Sequence, residues 1–222
     1  MARAEFDAVR LEIAWNRLIS IASEQAAAMV ASSFSAVLGG QTDNLTADAS
    51  AGFDLFVDSN AANPVAGAQL STVPDVVATT TLVRGFPEWL ADFRTTPLRF
   101  PITGFDASLL ARRAPALSER EAGVLDDAEE FRRVLADPGL VIVDDFFLQN
   151  GGGPPADRVH VGDVVQLLDP ATNRPVPLRV AGIVRADPFV VPTGAFVSAD
   201  VVRRVLPNTA AANRTYVAVA PG

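Results

Sequence analysis

Few residues in this sequence could carry out acid–base or nucleophilic chemistry. The chain has 222 residues with no cysteine and one histidine, His160, and all 18 of its lysine-or-arginine positions are arginine. Without cysteine or lysine it has no thiol nucleophile, no Schiff-base lysine and no P-loop lysine. A single histidine is also too few for a multi-histidine metal site. These counts exclude a P-loop ATPase and any enzyme that depends on its own thiol.

The remaining carboxylates and the histidine are poorly placed for joint catalysis. Asp144 and Asp145 follow a short apolar run, a position where catalytic carboxylates often occur. Adjacent residues of a strand point to opposite faces, so these two carboxylates cannot converge without a bend. We therefore interpret them as a capped strand end. His160 alternates with Val159 and Val161, which predicts a solvent-facing strand residue with no nucleophile nearby.

Two further segments resemble ligand sites in composition only. The acidic residues of Asp126–Glu130 precede an apolar pattern and two arginines, an order typical of a helix N-terminus. Gly151–Pro155 is rich in glycine, but it lacks the Gly-Lys-Ser/Thr ending of a phosphate loop, and its prolines have no backbone N–H to donate. We predict no catalytic, cofactor-binding or metal-binding residue, and no enzyme activity.

Charge and composition narrow the remaining functions. The 18 basic and 26 acidic side chains give a net charge of 18 − 26 = −8. This balance argues against nucleic acid as a partner, because binding to phosphates depends on a basic surface. Apolar residues make up 49% of the chain, too many for intrinsic disorder, and the length is sufficient for a buried core.

Residues 1–39 are predicted to form an amphipathic or membrane-proximal helix. Apolar side chains recur at helical spacing along one face of residues 5–38, and Gly39 and Gly40 mark the end of this pattern. The window of residues 18–38 has the length of a membrane span, but Glu24 lies near its middle. Two interpretations stay open: a helix that packs against the core or a partner, or a span.

Residues 40–222 are predicted to form an α+β domain with mixed, mostly antiparallel sheets and short helices. Residues 140–143 form a continuous apolar run, typical of a buried central strand. Residues 164–168 and 176–184 flank a turn and predict a β-hairpin. A strand is predicted over residues 98–105, with Pro101 favouring an edge position.

Several longer stretches follow one another in a distinctive order. TTTLVRGFP and PITGFDASLL precede LVIVDDFFLQNGGGPPADRVHVGDVVQLLDPATNRPVPLRVAGIV, which GAFVSADVVRRVLP and ANRTYVAVAPG follow. The most specific part is the order of a strand, acidic residues, a VGD turn, two strands and VAGIV. From about Met29 to Gly222 the chain thereby resembles the extracytoplasmic, MacB-like periplasmic core domain of FtsX/MacB-type ABC transporter permeases, especially actinobacterial ones.

This resemblance implies a domain on the extracytoplasmic face of the cell membrane. It implies porter-like βαβ elements with a smaller β-rich insertion, and a role in transmembrane transport without chemistry of its own. The domain would bind an extracytoplasmic protein partner or a substrate. An ABC ATPase subunit would act on it through the complete permease, and a homodimer is a further expected assembly.

The segment before this region resembles a different family. EFDAVRLEIAWNRLISIASEQAAA, residues 5–28, resembles the N-terminus of the hydantoinase B family. It matches none of that family's catalytic body. Two alternatives to a permease domain follow: a fragment of a hydantoinase B-type enzyme subunit, or a soluble interaction protein that docks through its N-terminal helix.

Partner contacts are predicted in an aromatic segment and in a glycine-rich loop. Residues 84–97 follow no clear period, and the aromatic segment within them, residues 86–93, is one candidate contact; the loop of residues 149–155 is the other. The loop follows the buried strand of residues 140–143. The predicted contacts are Phe86, Trp89, Phe93, Gln149, Asn150 and Gly151.

Overall fold

The computed structural model describes residues 51–59, 67–149, 158–170, 172, 174–184 and 194–220. All of them belong to one compact unit, Thr46–Gly222. The predicted helix of residues 1–39, the segment that resembles hydantoinase B, and the contact candidates Asn150 and Gly151 lie outside the described residues. No helix in the described part of the chain is both long enough and apolar enough to span a bilayer.

Eleven strands, three α-helices and one 3-10 helix form the described part of this unit. The strands are β1 (Leu55–Asp58), β2 (Val76–Gly85), β3 (Glu88–Ala91), β4 (Arg94–Arg99), β5 (Ile102–Phe105), β6 (Leu117–Arg120), β7 (Leu140–Asp144), β8 (Val164–Leu168), β9 (Pro175–Val184), β10 (Ala195–Ser198) and β11 (Ala211–Val219). The helices are α1 (Gly67–Leu70), α2 (Asp127–Ala136) and α3 (Ala199–Val205), and the 3-10 helix is Ala107–Leu110.

The strands form one sheet in the order β1-β11-β2-β5-β10-β7-β9-β8-β3-β4, with β6 paired to β9. Among the described pairs, β5 with β10 and β7 with β9 are parallel. The other pairs are antiparallel. The predicted α+β class with mostly antiparallel pairing is confirmed.

Strand β9 organises the centre of this sheet. One of its edges pairs with β7 over Arg179–Val184. Its other edge pairs first with β8 and then, nearer its end, with β6. The β8–β9 hairpin predicted from the sequence is confirmed, and so is the buried central strand, because all five residues of β7 are buried.

Helices cover both faces of the sheet. Gly104 and Phe105 are adjacent on β5 and therefore face opposite sides. On one side α3 approaches the strand closely, since a Cβ at Gly104 would lie 2.8 Å from the Cα of Ala199. On the other side Phe105 meets Phe131 of α2 with ring centroids 5.3 Å apart. Each helix thereby covers its own apolar core.

The acidic cluster starts α2, as predicted. The Asp126 carboxylate accepts the backbone N–H of Glu129 at 2.7 Å and caps the helix. Near the other end, Arg133 donates to Glu121 at 2.5 Å, and Glu121 also accepts from Arg179 of β9 at 2.5 Å. These two guanidinium groups lower the pKa of Glu121. The network ties α2 to the central strand.

The single strand predicted over residues 98–105 is wrong. The chain leaves β4 at Arg99 and enters β5 at Ile102, in a different part of the sheet. Pro101 interrupts the pairing because it has no N–H to donate, although its carbonyl accepts from Ala195 at 3.0 Å. The segment of residues 84–97, which shows no period, contains the end of β2 and most of the β3–β4 hairpin.

Trp89 anchors that hairpin in the core. Its side chain is 0% exposed, and the indole Nε1–H donates to the carbonyl of Phe100 at 3.1 Å. The indole also meets the Phe147 ring edge-on, with centroids 5.1 Å apart. A hairpin that follows no sequence period is thus held by one large buried side chain with a satisfied polar atom.

Asp144 joins β7 to the start of β10. Its buried carboxylate accepts the backbone N–H of Gly194 and, at 2.8 Å, that of Phe146. The Asp144 backbone N–H donates to the Gly194 carbonyl at 3.0 Å. Burial outweighs the two N–H donors and raises the pKa of Asp144 to about 6. The predicted capped strand end is confirmed.

We predict that Trp89→Ala destabilises the domain severely. The change leaves a large cavity and an unsatisfied Phe100 carbonyl, so the free energy of unfolding should fall by about 3–5 kcal/mol. Denaturant titration followed by circular dichroism measures this loss. Phe93→Ala, which removes a 38% exposed ring, is the control and should cost less than about 1 kcal/mol. Equal losses in the two variants would contradict the anchoring role.

We also predict that Asp144 makes stability depend on pH. Its pKa of about 6 exceeds the ordinary 3.8, so the folded state holds this proton more tightly than the unfolded state. The contribution of Asp144 to the free energy of unfolding is therefore greatest below pH 4. It falls by about 3 kcal/mol as the pH rises through 6, and is constant above.

Asp144→Asn should remove this slope. The free energy of unfolding of the variant minus that of the unsubstituted protein should rise by about 2–3 kcal/mol between pH 4 and pH 7. Ser118→Ala, which removes a hydroxyl at the same end of the sheet without removing a carboxyl, should leave the slope unchanged. If the difference in free energy of unfolding between Asp144→Asn and the unsubstituted protein did not change with pH, the Asp144 carboxyl would have the same pKa in the folded and unfolded states. That result would contradict the prediction.

Candidate functional site

The predicted aromatic contacts lie at different depths around the β3–β4 hairpin. Phe86, which precedes β3, is 58% exposed, and Phe93, in the turn after β3, is 38% exposed. Trp89 lies between them and is fully buried. A buried indole cannot contact a partner at this surface, so Trp89 supports the hairpin from beneath. The accessible aromatic residues are Phe86 and Phe93.

Phe86 lines an open groove of about 430 Å³. Leu168 of β8 and Leu206, which follows α3, contribute further apolar surface. Glu88 and Arg99, directly opposite each other on β3 and β4, add one charge of each sign. Aromatic residues and arginine are enriched at protein interfaces, so Phe86 and Arg99 make this groove a candidate contact surface.

Phe93 lines a smaller depression of about 140 Å³. Val159, Asp163 and Val164 form another part of its wall, so the hairpin turn meets the VGD turn of the sequence. Gly162 in that turn has a φ of +95°, a conformation that favours glycine. Two segments about 70 residues apart in the sequence thus build one surface.

Gln149 lies on a separate, tightly bonded turn after β7. Its side-chain amide donates to the carbonyl of Asp145 at 3.1 Å, and its backbone N–H donates to the carbonyl of Phe146 at 2.9 Å. Phe146 is 57% exposed, whereas Phe147 and Leu148 are buried. The accessible group at this turn is therefore the Phe146 ring, which the sequence patterns did not single out.

The structure does not bring the possible catalytic residues together. His160 is exposed, and its backbone N–H donates to the Asp163 carboxylate at 2.8 Å. It lies in a loop rather than in the strand that the alternation predicts. Asp144 is buried, whereas Asp145 accepts a hydrogen bond from Ser118 at 3.1 Å. No group of three histidine or carboxylate side chains in the described part of the chain could hold a metal ion.

A charged cluster that the sequence did not indicate lies at the end of β1, β11 and β2. Asp58 and Arg214 form a two-bond ion pair, with Oδ1–Nε and Oδ2–Nη2 distances of 2.6 and 2.7 Å. The Arg214 guanidinium also lies 4.3 Å from the centroid of the Phe56 ring. This pairing lowers the pKa of Asp58. Residues 58, 84 and 214 have no common motif, so only strand pairing brings Arg84 close to them.

No family model matches this chain, and no curated protein matches it. Solved structures do match. The periplasmic region of MacB from Actinobacillus actinomycetemcomitans is 10% identical, with 74% of this chain and 73% of that one covered and a TM-score of 0.44. The extracellular domain of the noncanonic ABC-type transporter YknZ from Gram-positive bacteria is 12% identical, with coverage of 76% and 82% and a TM-score of 0.43.

A third similar structure is a domain of a Porphyromonas gingivalis protein described as a permease. It is 16% identical, with 71% of this chain and 62% of that one covered and a TM-score of 0.44. Identities of 10–16% transfer no residue role to this chain. These three structures are a periplasmic region of MacB, an extracellular domain of an ABC-type transporter and a domain of a permease protein.

Proposed function

We propose that this chain is the non-catalytic extracytoplasmic domain of an ABC transporter permease. It binds a protein partner or a substrate and couples to ATP-driven motion of a separate ATPase subunit. This proposal rests on one observation, which is where the stretches that resemble FtsX/MacB permeases lie in the fold.

These stretches form the centre of the sheet. LVIVDD becomes β7, DVVQLL becomes β8 with its preceding turn, and PVPLRVAGIV becomes β9. GAFVSADVVRRV supplies β10 and α3. Residues that pack into a buried core constrain one another's size and spacing. A resemblance concentrated in such residues supports a shared architecture more strongly than one scattered over loops.

The arrangement of titratable groups supports binding rather than catalysis. Asp144 holds β10, and Glu121 ties α2 to β9. The only histidine is exposed in a loop. In the described ranges Asp144 and Glu121 are committed to structural hydrogen bonds, and a nucleophile with an oriented base is not assembled.

The surface around the β3–β4 hairpin is the proposed contact region. The Phe86 groove and the Phe93 depression expose aromatic surface at two ends of one rigid hairpin, and exposed aromatic anchors contribute strongly to protein interfaces. A protein partner, a substrate or a second copy of the chain could occupy this region. Gln149, Asn150 and Gly151 remain a second proposed contact segment, with Phe146 as its exposed ring.

The location of the domain can be tested with a single introduced cysteine. Leu125 is 83% exposed and the chain contains no cysteine, so Leu125→Cys in the full gene product gives a labelling site of known position. We predict that a membrane-impermeant maleimide labels this variant in intact cells as completely as in lysed cells.

Two controls accompany the labelling. The unsubstituted gene product measures background from any cysteine elsewhere, and Val165→Cys, at a position 0% exposed, should react only after denaturation. Labelling of Leu125→Cys only after lysis would overturn the permease proposal. It would favour the two alternatives, a hydantoinase B-type enzyme subunit or a soluble docking protein.

The proposed contact region predicts a selective effect of Phe86→Ser on the complete transporter. Loss of one aromatic anchor weakens an interface by about 1–2 kcal/mol, roughly 5–30-fold. The ATPase rate of membranes containing the permease and its ATPase subunit should fall, while the unfolding midpoint of the domain stays constant. Leu125→Ser removes an even more exposed apolar side chain elsewhere and should leave the rate unchanged. If membranes with Phe86→Ser and membranes with Leu125→Ser had equal ATPase rates, the Phe86 groove would not be part of the contact region.

A further inference from the structure

The Phe93 depression has the size of one side-chain end. Its volume is about 140 Å³, against about 430 Å³ for the groove at Phe86. A cavity of about 150 Å³ holds one benzene-sized group. The depression can therefore take one planar group of a binding partner, but not a stretch of several residues.

Two carboxylates line this depression beside its apolar walls. Asp92 follows β3 and Asp163 precedes β8, and both residues are exposed. The last described pair of β3 and β8 is Leu90 with Gln166. This pairing brings the end of β3 next to the start of β8, so two acidic residues from distant parts of the sequence lie at one opening.

The VGD turn fixes the position of Asp163. Its carboxylate accepts the backbone N–H of His160 at 2.8 Å, and its own backbone N–H donates to the His160 carbonyl at 3.1 Å. A group that is already held in place loses little conformational freedom when a partner binds. This carboxylate is therefore preorganised for a charged ligand.

The basic side chains next to the depression are committed to other carboxylates. Arg158, just before Val159 in the wall, pairs with Glu119 at 3.2 Å. Arg179, the cross-strand partner of Val164, pairs with Glu121 at 2.5 Å. Within the described ranges, no ion pair involves either carboxylate of the depression. The opening is thus negative and suits a cation.

The walls favour an organic cation over a metal ion. The Phe93 ring is 38% exposed, and a guanidinium group binds favourably over the face of such a ring. Val164 is 45% exposed and offers apolar surface to the methylene groups of a long basic side chain. By contrast, the described part of the chain contains no group of three side chains suited to a metal ion.

We propose that the Phe93 depression binds an arginine side chain of a protein partner. The guanidinium donates to the carboxylates of Asp92 and Asp163 and lies over the ring of Phe93. Its methylene groups pack against Val164. This inference rests on the proposed function, because it names the chemistry by which the contact region would recognise its partner.

An NMR titration of the full 222-residue chain with N-acetyl-arginine amide tests this site. We expect the backbone N–H signals of Asp163 and Val164 to shift saturably, with an apparent Kd of about 1–10 mM. N-acetyl-citrulline amide has the same shape without the charge and should bind at least about tenfold more weakly. Equal shifts with the two probes, or no saturable shift with the arginine probe, would overturn the proposal. Saturation of the same signals by calcium chloride but not by the arginine probe would also overturn it.

Charge-matched variants separate this site from general attraction to an acidic chain. Asp92→Asn removes one carboxylate of the depression and should weaken binding of the arginine probe roughly fivefold. Glu88→Gln removes one negative charge from the same hairpin, at the groove of Phe86, and should leave the affinity unchanged. Equal weakening by both variants would refute a local site. Phe93→Leu keeps an apolar wall but removes the ring face, and should also weaken binding.

The outcome of this titration is independent of where the domain works. The absence of arginine binding would leave the Leu125→Cys labelling result, and with it the permease proposal, unaffected. Labelling only after lysis would overturn the permease proposal while leaving arginine binding to the depression intact.

Discussion

The sheet of this domain depends on the junction at Gly194, directly before β10. Strand β10 has only four residues, yet it connects the β1-β11-β2-β5 part of the sheet to the β7-β9-β8-β3-β4 part. The Asp144 carboxylate and the Pro101 carbonyl bind backbone N–H groups at its start, on Gly194 and Ala195. Gly194 has a φ of +112°, and a side chain there would collide with Pro101. Glycine is therefore required at the point that holds the two parts together.

This junction also explains why polar groups gather at one end of the sheet. Strands β5 and β10 are parallel and begin there, whereas β2 and β7 run the other way and end there. Strand ends carry the residues that leave the apolar core, so Arg84, Thr103 and Asp144 all lie at this end. Phe93, in the turn of the β3–β4 hairpin, belongs to another part of the sheet, whereas Phe86 directly follows β2.

Segments with a strong local signal were predicted correctly from the sequence. The run of residues 140–143 is apolar without interruption because β7 is buried on both faces. The start of α2 was readable because a capping aspartate and an acidic first turn stabilise a helix locally. The β8–β9 hairpin was readable from its turn residues. The β3–β4 hairpin was not, since its position depends on Trp89 reaching the distant Phe147.

For the candidate contact residues too, some features were predictable from the sequence and others depended on the tertiary structure. The absence of lysine and cysteine excluded a P-loop lysine and a thiol nucleophile from the sequence alone. The order of the sequence motifs indicated a permease-like domain. Which aromatic side chains are accessible was decided only by tertiary structure, which buries Trp89 and exposes Phe86, Phe93 and Phe146. The pairing of Asp58 with Arg214, and the absence of a carboxylate for Arg84 in the described ranges, depend on strand register. Composition and local periodicity act over a few residues, whereas burial and charge pairing depend on residues more than 100 positions apart.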